Sequence, residues 1–197
     1  MVRWREILDF WFGDALAAHC PVGEDLWFQK SERTDELIRR RFGVDLERAR
    51  AGEYEEWAAF AQGRLALILL FDQFSRNIYR GRPEALASDS AALELCLTGV
   101  DKRMDLALAP LERVFFYLPM EHAEDLAIQR RSVEAVGRLL VSAPPELSQR
   151  MQSFYDYAVK HCEVIERFGR FPHRNSILGR ENTPEEAAFL ARPGSSF

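Results

Sequence analysis

The chain has 197 residues, 47% of them apolar and 29% charged, which suits one globular core and leaves too little for two. A formal net charge of −5 argues against a generic nucleic-acid binder. Three cysteines (Cys20, Cys96 and Cys162) with no CxxC spacing argue against a disulfide framework and for a reducing compartment. The opening Met1-Val2-Arg3-Trp4-Arg5-Glu6 lacks the layout of a signal peptide, and the longest apolar run, Leu65 to Phe71, is far short of the ~20 residues of a membrane span. A single soluble, cytoplasmic domain over 1–197, with no membrane partner, is therefore expected.

Strand signals are nearly absent, and helical periodicity recurs along the chain. Trp4, Ile7, Leu8 and Trp11 mark one face of a first helix that Gly13 should stop. A second helix is predicted from Ser31 to Phe42, burying Leu37 and Ile38 and ending at Gly43, followed by a short turn of helix over Asp45–Arg50. Glu53–Tyr79 reads as a long central helix, apolar on every face at Leu65–Phe71, with Gly63 as its weak point. Ala85–Thr98 follows, closed by Gly99. From Leu111 a helix runs to Pro119, where a kink or break is expected before a continuation over Glu121–Leu140. A long helix spans about Glu146–Phe168. Thr183-Pro184-Glu185-Glu186 then has the form of a capping box, and the tail from Pro193 to Phe197 should be irregular. The fold class is all-α, roughly eight to ten helices in antiparallel pairs. No repeat of about 34 residues fits the tetratricopeptide consensus.

Four features place polar groups where a helical core would be apolar. Asp72 and Arg76 continue the row of Leu65, Ile68 and Leu69, with Arg80 one turn on, and Gln73 and Asn77 lie on the adjoining row. Such charges need partners if buried, and the readings open are an exposed i, i+4 pair, a structural network, or the floor of a ligand site. Pro119-Met120-Glu121-His122 couples a helix breaker to an acid and a base, which cannot face each other as neighbours. His161 falls on the face of Phe154, Ala158 and Ile165. The last is Arg167-Phe168-Gly169-Arg170-Phe171-Pro172-His173-Arg174-Asn175, a stretch without acidic residues whose arginine forks match carboxylate and phosphate. No His-x-x-x-His or comparable spacing supports a metal or any other cofactor.

The stretches Leu8–Gly13, Phe71–Gly81, Phe116–His122, Arg167–Asn175, Gly179-Arg180 and Pro193–Phe197 occur together in this order. In them the chain resembles a mostly bacterial, all-helical family of unknown function in the tetratricopeptide-repeat-like superfamily. The resemblance covers essentially the whole chain. It implies a tetratricopeptide-like stack of antiparallel helix pairs, an α-α superhelix, and it implies no established activity. Its signature polar residues here are Asp72, Gln73, Arg76, Asn77, Glu121, His122, His161, Arg170, His173, Arg174 and Asn175. The repeat consensus itself is absent, so peptide binding by analogy rests on fold alone.

The expectation from these residues is a pocket for a small anion or an acidic peptide terminus, with Asp72, Gln73, Arg76, Asn77, Arg170, His173, Arg174 and Asn175 as ligand-binding groups. The alternatives are a hydrolase-like enzyme drawing acid–base chemistry from His122, His161 and Glu121, and a scaffold for another protein. The sequence specifies neither the ligand nor the oligomeric state.

Overall fold

The computed structural model describes residues 3–13, 26–27 and 29–195. Cys20, the first two residues and the last two, which entered the sequence reading, lie outside them. Among the described residues the architecture is helical without strands. The α-helices are α1 (Arg3–Phe12), α2 (Glu32–Arg50), α3 (Ala61–Ile68), α4 (Ser75–Ile78), α5 (Asp89–Asp101), α6 (Pro110–Glu121), α7 (Leu126–Ser142), α8 (Ser148–Phe168) and α9 (Pro184–Leu190). No helix among them is long and apolar enough to cross a membrane.

Local signals account for several boundaries. α1 buries Ile7, Leu8 and Trp11 and gives way to Gly13 at φ +37°. Ser31 caps α2 by accepting from Thr34 N–H, and Thr183 and Glu186 cap α9 reciprocally, as their spacing predicts.

Glycine was a poorer guide. α2 runs through Gly43 to Arg50 as one helix, and Leu37 is exposed while Ile38 is buried. A mid-helix glycine costs about 1 kcal/mol, whereas burying Leu46 beyond it returns roughly 2 kcal/mol. Gly99 likewise lies inside α5 instead of closing it. A Cβ there would sit 2.5 Å from the Phe116 ring and 2.8 Å from Arg64 Cδ, so this glycine lets α5 approach α3 and α6. Gly99→Ala should therefore destabilise the fold by about 1–3 kcal/mol through overpacking, read from urea unfolding midpoints.

The long central helix predicted over Glu53–Tyr79 is broken into pieces. A 3₁₀ turn over Glu55–Ala59 ends at Phe60 in extended conformation, and α3 begins beyond it. The break thus falls at Phe60 and not at Gly63, whose missing Cβ makes room for the Phe60 ring and the Trp57 carbonyl. Leu69–Phe74 is then a π-helical segment, with Ser75 N–H bonded to Leu70 O, before α4 resumes. Leu65–Leu70 are buried throughout, so this element is the centre of the molecule. Trp11 packs on Phe74 and Phe115 at ring separations of 5.3 and 5.7 Å, tying α1 and α6 to it.

α6 contains Pro119, which has no N–H for the Phe115 carbonyl, and the helix stops two residues later. Residues 122–125 separate it from α7, so the break expected at Pro119 falls just after Glu121. Asp125 caps α7 by accepting from Ile128 N–H. Gln129 Nε2 donates to the carbonyls of Glu121 and Ala123 at 2.5 and 2.8 Å, fixing the corner from below. α6 packs along α7 and α7 along α8. Their short connections make them antiparallel neighbours, an arrangement compatible with a helix-pair stack.

Candidate functional site

The π-helical segment, the α6–α7 corner, α8 and the loop after α8 carry polar side chains to one place. Asp72, on the π-helical segment, has its side chain 1% exposed and is surrounded by donors. His122 Nδ1 lies 2.7 Å from its Oδ1, Gln73 Nε2 donates to Oδ2 at 2.6 Å, and Arg76 Nη1 stands 3.1 Å from Oδ1. Arg76 also donates to the Asp72 carbonyl at 2.6 Å, and forks onto Asp89 at 3.0 and 3.1 Å. π segments inside α-helices recur at functional sites because the extra residue per turn re-aims the side chains on it.

These contacts fix protonation. Despite burial, Arg76 and His122 hold the Asp72 carboxyl below the usual carboxylate range. An ionised carboxylate accepts, so the His122 Nδ1–H donates to it and the neutral ring presents Nε2 as an acceptor. Burial keeps His122 below the ordinary histidine value, with Arg76 and Arg174 assisting against the pull of Asp72. Its Nε2 makes no hydrogen bond among the described residues, and 15% of the side chain reaches solvent.

Glu121 behaves oppositely. Burial, reinforced by the charge of Asp72, pushes it up to about 8, so it is a neutral acid at pH 7. Its Oε1 is 3.2 Å from His161 Nδ1, and the same nitrogen lies 2.9 Å from the Tyr157 carbonyl, to which only an N–H can bond. Desolvation lowers His161 to about 3 and His173 to about 4, so both rings are neutral. The His122 and His161 rings are 6.1 Å apart. Two carboxyl groups held in opposite states around neutral imidazoles is an arrangement suited to proton transfer.

Arg174 closes the cluster. Its side chain is 10% exposed, the guanidinium stacks 4.6 Å over the Phe171 ring, and the nearest carboxylate oxygen, Asp89 Oδ2, is 3.5 Å away. It makes no side-chain hydrogen bond among the described residues. Burial, with Arg76 nearby, lowers it to about 10.

The other arginines of that loop are spoken for. Arg167 is held by Glu185, and Arg170 forks onto Glu186 at 2.6 and 2.8 Å. Arg180 forks onto Glu124 at 2.6 and 2.9 Å. Thus Asp72, Gln73, Arg76, Glu121, His122, His161, His173 and Arg174 share one neighbourhood, whereas Asn77, Arg170 and Asn175 do not. Asn77 and Arg80 bind Asp35 at 2.5–2.8 Å, anchoring α4 to α2, so Arg80 does not extend the Asp72–Arg76 row. Arg170 braces α9 through its capping glutamate, and Asn175 bonds Asn182 and Arg180. Each of these three is captured by a nearer partner of its own.

Sequence reasoning missed Asp89, which bridges Arg76 and Arg174. At the first position of α5 an aspartate reads as an ordinary favourable charge at a helix N-terminus, and nothing local announces its second role. Gln129 was missed as well, being a single polar residue in an otherwise regular helix. No group of three His, Cys, Asp or Glu among the described residues is arranged to hold a metal ion.

A family model described as "Bacterial protein of unknown function (DUF924)" matches residues 7–194. The chain belongs to this family. No curated protein sequence matches this DUF924 member. It is similar to the solved structure of a protein of unknown function, ATU0120, from Agrobacterium tumefaciens, at 36% identity and a TM-score of 0.82, covering 96% of this chain and 97% of that one. The all-helical fold of this DUF924 chain therefore has an experimental counterpart over nearly its whole length.

Proposed function

We propose that the cluster binds a small anion, a carboxylate or a phosphate, on Arg174. The observation that carries this reading is a nearly buried guanidinium, with five N–H donors and no hydrogen bond among the described residues, in a loop whose other arginines are fully paired. The side chain still reaches solvent over 10% of its surface, so an anionic oxygen can approach the guanidinium and supply the missing acceptor. His122 Nε2 adds an acceptor beside it, so the favoured ligand carries a hydroxyl or an acidic proton as well as a charge. Asp72 and Gln73 orient His122, and Asp89 positions both arginines. Action in the cytoplasm accords with the unpaired thiols of Cys96 and Cys162.

A thermal-shift panel of inorganic phosphate, phosphorylated metabolites and small carboxylates tests the proposal. A specific ligand at about 100 times its dissociation constant adds about 2.7 kcal/mol of stability. Arg174→Met, which keeps the stack on Phe171 and removes the charge, should abolish that shift while the chain stays folded by circular dichroism. No stabilisation of wild type by any compound in the panel would defeat the reading.

The Asp72–His122 pair favours a second reading, in which the bound compound is also turned over. His122 Nε2 would take a proton from water and Glu121 would deliver one to a leaving group. Chromogenic phosphomonoesters and carboxylic esters are the probes, and wild-type turnover that His122→Ala abolishes separates this reading from the first, which expects none.

A further inference from the structure

A concave feature lies away from the histidine cluster. Between α2 and the end of α4 a hollow of about 680 Å³ is floored by Val44 and Ile78 and rimmed by Arg39, Arg48, Arg80 and Arg82. Arg80 is committed to Asp35 through both oxygens. The carboxylate partners of the other three lie at the surface: Glu36 for Arg39, Glu53 for Arg48 at 3.6 Å, and Glu84 for Arg82 at 2.7 Å, all with about half or more of each side chain exposed, while Arg39 also donates to the Ile78 carbonyl at 2.9 Å. Exposed pairs of this kind hold roughly 0–1 kcal/mol each, so an incoming carboxylate can replace the partner at little cost. Of the acids in the wall, Glu47 already accepts from Arg50 and from Tyr79 Oη, and Glu53 is the residue facing Arg48.

The hollow continues onto an exposed row of α2. Arg33, Leu37, Arg40, Val44 and Arg48, spaced by three and four, share one face and include no acid. Leu37 and Val44 are 44% and 67% exposed there. In a chain of net charge −5 this is a local concentration of arginine around two bare aliphatic side chains.

We infer that this face docks an acidic segment of a partner protein, its carboxylates on Arg39, Arg48 and Arg82 and an aliphatic side chain seated over Val44 and Ile78. Charge complementarity selects the acidic partner, and the aliphatic pair selects a peptide over a nucleic acid. A base would need an open aromatic face, whereas Tyr79 is already flanked by Arg50 at 5.2 Å and Arg82 at 5.8 Å. The concave floor and an aliphatic set limited to Leu37, Val44 and Ile78 fit a peptide better than a lipid surface.

Fluorescence anisotropy tests the inference with a fluorescein-labelled peptide of glutamates and aspartates around two leucines one helical turn apart. Its glutamine/asparagine counterpart, an oligothymidylate and phosphatidylserine vesicles serve as comparators. The acidic peptide should bind, and its neutral counterpart should bind at least about tenfold more weakly. The triple variant R39E/R48E/R82E should lose at least about tenfold in affinity while remaining folded by circular dichroism, because like charges would then face the ligand. V44D should lose affinity by itself, which keeps the test open if the triple variant fails to fold. Absence of peptide binding to wild type, equal binding to folded variants, or preference for oligothymidylate or vesicles would overturn the inference. Arg174→Met should leave this binding intact, so its outcome is separable from that of the anion site.

Discussion

Asp72→Ala is expected to lower folding stability by roughly 3–5 kcal/mol, the cost of removing one member of a buried charge network and leaving the others uncompensated. Asp72 is almost wholly enclosed and has Arg76, His122 and Gln73 as partners, so its loss takes a partner from three groups on three elements. Arg76 retains Asp89 and the Asp72 backbone carbonyl, which limits the damage on that side. His122 retains nothing on Nδ1. Equilibrium urea unfolding of the wild type and the variant reads the difference directly. A loss below about 1 kcal/mol would mean that the carboxylate is no keystone.

The second large effect concerns Glu121 and pH. Its carboxyl, ordinarily near 4.5, stands at about 8 in the folded chain because burial disfavours the charge. Between those values the native state keeps a proton that the unfolded chain has released, so this group makes stability fall as pH rises. His161 and His173 act in the opposite sense. Held at about 3 and about 4 against an ordinary 6.5, they stay neutral when folded, so stability falls as pH drops below 6.5. Asp72, held low by Arg76 and its hydrogen bonds, adds a further loss in acid, below its ordinary 3.8. The curve should therefore peak near pH 6.5. Glu121→Gln removes the alkaline limb, so its stability relative to wild type should grow by roughly 3–5 kcal/mol between about pH 4.5 and pH 8.5. Parallel wild-type and variant curves across that range would show that Glu121 ionises normally.

Much of this molecule can be read locally and the rest cannot, for identifiable reasons. α1 and the capping box of α9 depend on residues within one or two turns of each other, and the sequence displays them. Gly43 and Gly99 look alike as symbols, yet one is tolerated in open space and the other is required by a phenylalanine ring 17 residues on. Leu69–Phe74 has the composition of an ordinary apolar helix, and only packing on all sides selects the wider π turn that carries Asp72. Asp72, His122 and His161 stood out because charge interrupts an apolar stripe. What the stripe could not reveal was how the loop arginines divide. Arg170 and Arg174 are four apart with similar neighbours, but Glu186 reaches the first and no carboxylate comes within a close hydrogen bond of the second.

The central claim is that Arg174 and the neutral face of His122 receive an anion together. Histidine-ring ¹⁵N resonances, followed while the best compound of the thermal panel is titrated in, test it at the atoms concerned. The account predicts that His122 Nε2 shifts saturably with the ligand while Nδ1 stays protonated against Asp72, and that Arg174→Met eliminates the response. A ligand that stabilises the protein yet leaves the His122 nitrogens unmoved, or moves them equally in Arg174→Met, would contradict it.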